Sequence, residues 1–225
     1  MLSLKQALGL NSIRALGSWQ PSDETGLEAW YKFQTGITLN GSDVSAWADS
    51  STNSFNMLQS TASEQPAYNS GNIEFDSSAT QNLQSASDIT LSGAFTVGIR
   101  LEPDASNVVV LGSNTSNNEF FKLMTGTVLR LKIDVAHIEI TLDSGTFVAD
   151  NYLVITRNAS NLITLYLNGV AQSDTETLSG TADINSIGVR KTDLNPYDGT
   201  ISEVQIFDTE SSALTANVNA YLAGL

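Results

Sequence analysis

The sequence contains no cysteine and one histidine, His137. Disulfides, thiolate metal sites and cysteine nucleophiles are therefore excluded, and one imidazole without a thiol cannot build the usual four-ligand zinc site. Basic residues are scarce: 10 Lys and Arg stand against 24 Asp and Glu, a net charge of −14. A surface of that sign repels phosphate, which argues against nucleic-acid partners held by a basic footprint and against anionic lipid. No stretch approaches the ~18 consecutive apolar residues of a membrane helix, so no membrane insertion is expected. The 16 glycines are scattered as turn residues, with no phosphate-cradling loop among them. Charged residues amount to 15%, against about 25% in an average globular protein.

What is present points to strands. Ser, Thr and Asn make up about three residues in ten, a share suited to strands and turns. Apolar residues alternate with polar ones in Phe95–Leu101, Leu129–Val135, Ile138–Leu142 and Ile163–Leu167. Such alternation sets one face on a core and the other in solvent or on a second layer. Asn168-Gly169 follows the last run and predicts a two-residue type I′ hairpin. Shorter strand candidates are Leu27–Phe33, Val44–Trp47, Ile73–Phe75, Val108–Leu111, Phe120–Met124, Tyr152–Thr156 and Ile201–Phe207, with Trp30 and Trp47 assigned to the core. About a dozen short strands in 225 residues predict an all-β antiparallel sandwich of jelly-roll type. Near the end, Thr215 is the expected cap of a short helix carrying Val218, Tyr221 and Leu222 on one face. Residues 1–25 are read as an N-terminal arm and 26–225 as the domain.

The order of motifs is specific. GLEAWYKF at 26–33, VSAWADSSTNSFNMLQ at 44–59, QPAY at 65–68, GNIEFD at 71–76, LSGAFTVGIRLEPD at 91–104, LITLYLNGV at 162–170 and DGTISEVQIFDTESSALT at 198–215 follow one another. Together they resemble laminin-G-like, concanavalin A-like jelly-roll domains over nearly all of 26–222. The leucine-rich start, Ile13-Arg14 and the Trp19-x-Pro21 before the first strand are similar to virion proteins of tailed bacteriophages. The resemblance implies a concanavalin A-like jelly roll with a short N-terminal arm and a short C-terminal helix.

The resemblance also frames the candidate sites. Relatives that hydrolyse glycans set carboxylates along one strand at alternate positions. The nearest counterpart is Glu139 with Asp143, the latter past the strand end, so no catalytic residue is expected; His137 and Asp134 are read as surface residues. Relatives also hold a structural calcium through an Ile-Asp-Glu-Val passage, which here reads Ile201-Ser202-Glu203-Val204. Ser202 replaces the carboxylate, and Asp49 and Asp198 are left as candidate ligands for a metal that wants six to eight oxygens. No other cofactor is expected. For a sugar, the loop aromatics Tyr68 and Tyr197 and the amides Asn114 and Asn195, with Asn117 and Asn118 nearby, are the candidates.

Leu2, Leu4, Leu8, Ile13 and Leu16 are too apolar for a solvated arm and are read as subunit anchors. The resulting expectation is a noncatalytic virion structural protein, a head decoration or fibre component. It would be homo-oligomeric and held by its arm to capsid, tail or fibre proteins. The N-terminus does not read as an export signal, so synthesis in the host cytoplasm and display on the virion surface are expected. The alternative is a carbohydrate-binding adhesin contacting a host-surface glycan; a glycoside hydrolase of the same fold is the third reading.

Overall fold

The computed structural model describes residues 18–225; the anchor candidates Leu2, Leu4, Leu8, Ile13 and Leu16 lie outside them. Eighteen strands occur among the described residues. The first nine are β1 (Leu27–Tyr31), β2 (Ile37–Asn40), β3 (Asp43–Trp47), β4 (Met57–Leu58), β5 (Ala67–Asn69), β6 (Asn72–Phe75), β7 (Leu83–Leu91), β8 (Phe95–Pro103) and β9 (Val108–Gly112). There follow β10 (Phe120–Leu123), β11 (Val128–Ile133), β12 (Ala136–Thr141), β13 (Asn151–Arg157), β14 (Leu162–Leu167), β15 (Val170–Ala171), β16 (Glu176–Thr177), β17 (Ala182–Ile187) and β18 (Gly199–Phe207), then the helix α1 (Ser212–Leu222).

All pairings between strands are antiparallel and sort into two layers. In the first, β18 is flanked on one edge by β6 and β1, end to end, and on the other by β8, followed by β13 and β14. In the second, β2, β3, β4, β7, β17, β9, β10, β11 and β12 lie side by side. β5 pairs with both β3 and β6 and so turns the corner between them. The predicted alternation fills the space between: Val97, Ile99, Leu153, Ile155 and Leu165 of the first layer share one core with Leu83, Val110, Phe121, Leu129 and Leu131 of the second. Asn168 and Gly169 both take positive φ, 50° and 80°, as a type I′ turn requires, and join β14 to β15.

The outer face of the first layer is also apolar, and α1 covers it. Leu214, Val218 and Leu222 pack on Val154 and Phe207, with Trp19, Tyr152 and Tyr221 at the margin. Gly98 on β8 makes the close approach possible: a Cβ there would stand 2.6 Å from Cγ1 of Val218 and 3.2 Å from Cδ1 of Leu222. The helix starts earlier than its sequence indicates. Ser211 is the N-cap, its side chain accepting from the Leu214 N–H, and Thr215 is buried inside the helix. A second correction concerns Val135, which the alternation places in a strand. Asp134 has φ 54° and turns the chain, so β11 ends at Ile133 and Val135 is 78% exposed at the hairpin tip.

Beneath the helix lies a buried carboxylate. Glu203 is fully buried and accepts from the Trp30 indole, the Phe33 N–H and, at 3.1 Å, the Gln205 amide. Burial pushes its carboxyl above the usual range, and those donors and Lys32 pull it back. Arg157 is buried likewise, and its guanidinium donates to the carbonyls of Gly93, Gly180 and Leu91 at 2.6, 2.8 and 3.0 Å.

Because Gly98 sets the distance between sheet and helix, Gly98→Ala is expected to cost about 1–3 kcal/mol. In the Gly98→Ala/Val218→Ala pair the loss should fall short of the sum of the two single losses, since removing the Val218 methyls makes room for the new Cβ. Urea unfolding of the three variants measures this coupling; strict additivity would show that the helix does not rest on Gly98.

Candidate functional site on the open face of the second sheet

The segment Phe120-Phe121-Lys122-Leu123 forms β10, and its alternation sends Phe121 and Leu123 to the core and Phe120 and Lys122 to the outer face. Register then gathers further charges. Phe120 lies opposite Lys132 and Lys122 opposite Arg130 on β11; Arg130 and Lys132 lie opposite Glu139 and His137 on β12. On the other side, β9 presents Gly112 opposite Phe120. A Cβ on Gly112 would meet the Val189 carbonyl oxygen at 2.4 Å and the Arg190 Cα at 3.2 Å. The missing side chain thus lets residues 188–195 settle on this face and delivers Arg190 to it.

Arg190 stacks its guanidinium 4.9 Å from the Phe120 ring centroid and donates from Nη2 to Oδ1 of Asn195 at 3.0 Å, while its Nε is buried without a partner. Lys132 Nζ stands 6.0 Å from the same ring and donates to the Asn117 carbonyl and to Oδ1 of Asn118 at 3.2 and 2.9 Å. Lys122 is 6% exposed; no hydrogen bond or ion pair reaches its ammonium among the described residues. Burial, then the nearby Arg190 and Arg130, push its pKa down to about 8. Arg130 pairs with Glu139 at 2.5 Å, the one carboxylate bound to a cation on this face among the described residues. Glu119, at the start of β10, has one carboxyl oxygen buried without a partner; burial raises its pKa.

The structure brings some of the sequence candidates here and scatters others. Asn114 and Asn195 both lie at the rim: Asn114 donates from its amide to Gln84 at 2.8 Å and from its backbone to Asn185 at 2.7 Å, and Asn195 holds Arg190. Tyr68 is elsewhere, half-buried on β5 against the core. Tyr197 is corrected: it is fully buried, its ring edge-on to Phe75 at 5.8 Å and its hydroxyl donating to the Thr200 carbonyl, so it offers no face to a sugar.

Asp49 accepts from the Trp30, Ser51 and Phe55 backbones and the Ser51 hydroxyl, whereas Asp198 accepts from the Ser77 N–H; they organise separate loops. No group of three or more His, Cys, Asp or Glu placed to hold a metal occurs among the described residues. Asp143 accepts from the Ser173 N–H and hydroxyl, which hold its carboxyl below the usual range, while Glu139 belongs to Arg130. Lys122, Arg190 and Phe120 were not singled out by the sequence. A lysine inside the apolar run Phe120–Met124 was the available signal.

An ammonium on a mostly covered side chain, with two cations nearby, leaves a mark on stability. Below pH about 8 Lys122 is charged in the folded as in the unfolded chain, and folding carries the cost of burying it. Between about 8 and the ordinary 10.5 the folded amine is neutral while the unfolded chain still binds the proton, so stability at this position rises with pH. Lys122→Met should therefore melt higher than the parent at pH 7, on the order of 2–4 °C, with the difference shrinking as pH rises from 8 to 10. Calorimetry across that range checks it; a pH-independent difference would show that the ammonium is not the cause.

Comparison with known proteins agrees with this architecture. The family model of the concanavalin A-like lectin/glucanases superfamily matches residues 75–217. No curated protein matches the sequence. Among solved structures, the fourth domain of an extracellular GH43 arabinanase from Geobacillus stearothermophilus, in complex with arabinotriose, superposes with a TM-score of 0.62 at 19% identity, covering 89% of this chain and 99% of that one. The binding domain of Paraclostridial mosquitocidal protein 1 gives 0.60 at 16% identity, covering 90% of this chain and 52% of its own. The binding domain of botulinum neurotoxin serotype D/C gives 0.58 at 12%, covering 91% and 53%. The chain thus spans about half the length of the two toxin chains. At these identities the likenesses establish fold. With the two-layer jelly roll, the covering helix and the family match over most of its length, the chain belongs to the concanavalin A-like lectin/glucanases superfamily.

Proposed function

We propose that this domain is a noncatalytic carbohydrate-binding module whose ligand lies on the open face of the second layer. The observation that carries the reading is the grouping of Phe120, Lys122, Arg130, Lys132 and Arg190, with Asn114, Asn118 and Asn195 at the rim, on a sheet face that no helix covers among the described residues. Donors with few internal acceptors suit the hydroxyls and oxyanions of a sugar. The arabinanase domain solved with arabinotriose and the toxin binding domains share this fold and support a binding role. The carboxylates that glycoside hydrolysis would need are otherwise engaged: Glu139 by Arg130 and Asp143 by Ser173.

A second reading sets the domain on a virion surface as a structural protein, attached to capsid, tail or fibre partners by the segment before Ser18. One observation favours it. The described chain begins in a groove of about 350 Å³ lined by Ser18, Trp19, Asn217, Tyr221 and Leu225, on the side of the helix and away from the cationic face, so an anchored domain would keep that face free. The two readings are compatible as an adhesin displayed on a particle.

A glycan array followed by amide-shift mapping tests the binding reading. At least one glycan with sub-millimolar affinity is expected, its shifts confined to β9–β12 and residues 188–195, and deletion of residues 1–16 should leave that affinity unchanged. An empty array, or shifts centred elsewhere, would overturn it.

A further inference from the structure

The charge on this face is not distributed as the rest of the molecule would lead one to expect. Four of the ten basic residues, Lys122, Arg130, Lys132 and Arg190, share one sheet face, the last two over the Phe120 ring, in a chain of net charge −14. A fold that merely tolerated them would pair them, as it pairs Arg130 with Glu139, or cap them with carbonyls, as it caps Arg157. Lys122 has neither among the described residues: most of its side chain is covered, but its ammonium is not among the buried unpartnered atoms and so reaches the surface. Arg190 keeps a buried Nε–H with nothing to receive it. A buried donor without an acceptor costs stability, and such a group calls for an explanation; a ligand's oxygen would supply one here. The aromatic side chains point the same way. None is among the exposed large apolar residues described, which are Leu39, Leu58, Val135, Val148, Val170 and Leu194. On this face the aromatic is Phe120, itself 4% exposed, so the site offers no open ring for stacking on a neutral sugar.

We infer that the open face of the second layer recognises an anionic group on a glycan, a uronate carboxylate or a sulfate ester, with Lys122 and Arg190 as its direct contacts and Arg130 and Lys132 as flanking charges. This rests on the carbohydrate-binding reading and narrows it to acidic sugars. Arg190 presents the donor edge of a planar fork suited to two oxygens at once, and Lys122 adds a point charge. Phe120 fixes the guanidinium plane from below, and Asn195 fixes its far end. The carboxylates nearby set the limits of the site. Glu139 takes up Arg130, and Glu119, with Asp183 and Asp134 near it, stands on the Lys132 side, which leaves Lys122 and Arg190 as the cations free to meet an anionic group. A polyanion such as nucleic acid would meet the acidic surface beyond, which is why the overall charge still excludes it.

The test uses isothermal titration and amide shifts with four probes: a glucuronate-terminated trisaccharide, its carboxyl-reduced neutral counterpart, the corresponding 6-O-sulfated trisaccharide, and inorganic sulfate. The proposal expects one or both acidic trisaccharides to bind at least about tenfold tighter than the neutral one, the scale of one charge-assisted hydrogen bond. Lys122→Met and Arg190→Gln should each remove most of that preference, and salt should weaken it. Carboxylate against sulfate identifies the source of the anion. Equal affinity for acidic and neutral trisaccharides would overturn the proposal while leaving the carbohydrate-binding reading standing. Binding of inorganic sulfate as tight as that of either trisaccharide would overturn the glycan component of both. Full retention of the preference in a folded Lys122→Met protein would also overturn it, and that variant is expected to fold because it removes a buried charge.

Discussion

Everything in this molecule follows from the first layer being buried on both faces. Its inner side belongs to the common core, and its outer side is sealed by α1 at the distance Gly98 allows. Strands buried on both sides cannot alternate cleanly, and β8, β13 and β18 are accordingly buried almost end to end. Inside that seal the Glu203 carboxylate ties β1 to β18 by accepting from the Trp30 indole and the Phe33 N–H. In the second layer residues 188–195 settle over β9 and β10, which are buried along their length, while β11 and β12 stay open on their outer side, so that layer carries the sheet face accessible among the described residues.

Two buried cations show how structure and function separate on this frame. Arg157 and Lys122 each sit in an almost solvent-free place. Arg157 gives its hydrogens to three carbonyls and thereby pins the β7–β8 turn to the loop at Gly180; its role is complete within the fold. Lys122 has Arg190 and Arg130 nearby and no acceptor among the described residues, and its ammonium is not among the buried unpartnered atoms. The fold completes one cation internally and gives the other no acceptor among the described residues, which is the physical ground for treating the second as a binding group.

Much of the architecture is legible in the residues. The alternation of Phe95–Leu101 and Ile163–Leu167 and the Asn168-Gly169 turn appear in the structure as read. β7 was not legible because its inward-facing positions include a polar Ser85 and its middle is exposed. β17 was missed because a bulge between Ile184 and Ser186 breaks the period. Tyr197 stands in Asn-Pro-Tyr-Asp-Gly, which reads as a turn, yet its ring swings inward because the hydroxyl finds the Thr200 carbonyl. The site was half legible. Asn114 and Asn195 were picked out as loop amides, but Arg190 is some seventy residues from Lys122, and only the close pass over Gly112 brings the two to one face.

The central claim is that the Lys122 ammonium, carried on a mostly covered side chain, has no counter-charge among the described residues. The most direct measurement is an NMR titration of its side-chain carbon and nitrogen signals in the free protein. The account expects a midpoint near 8, moving up when an acidic sugar binds. A midpoint at the ordinary lysine value, about 10.4 or above, would mean that the charge is already compensated or solvated, and would contradict the account.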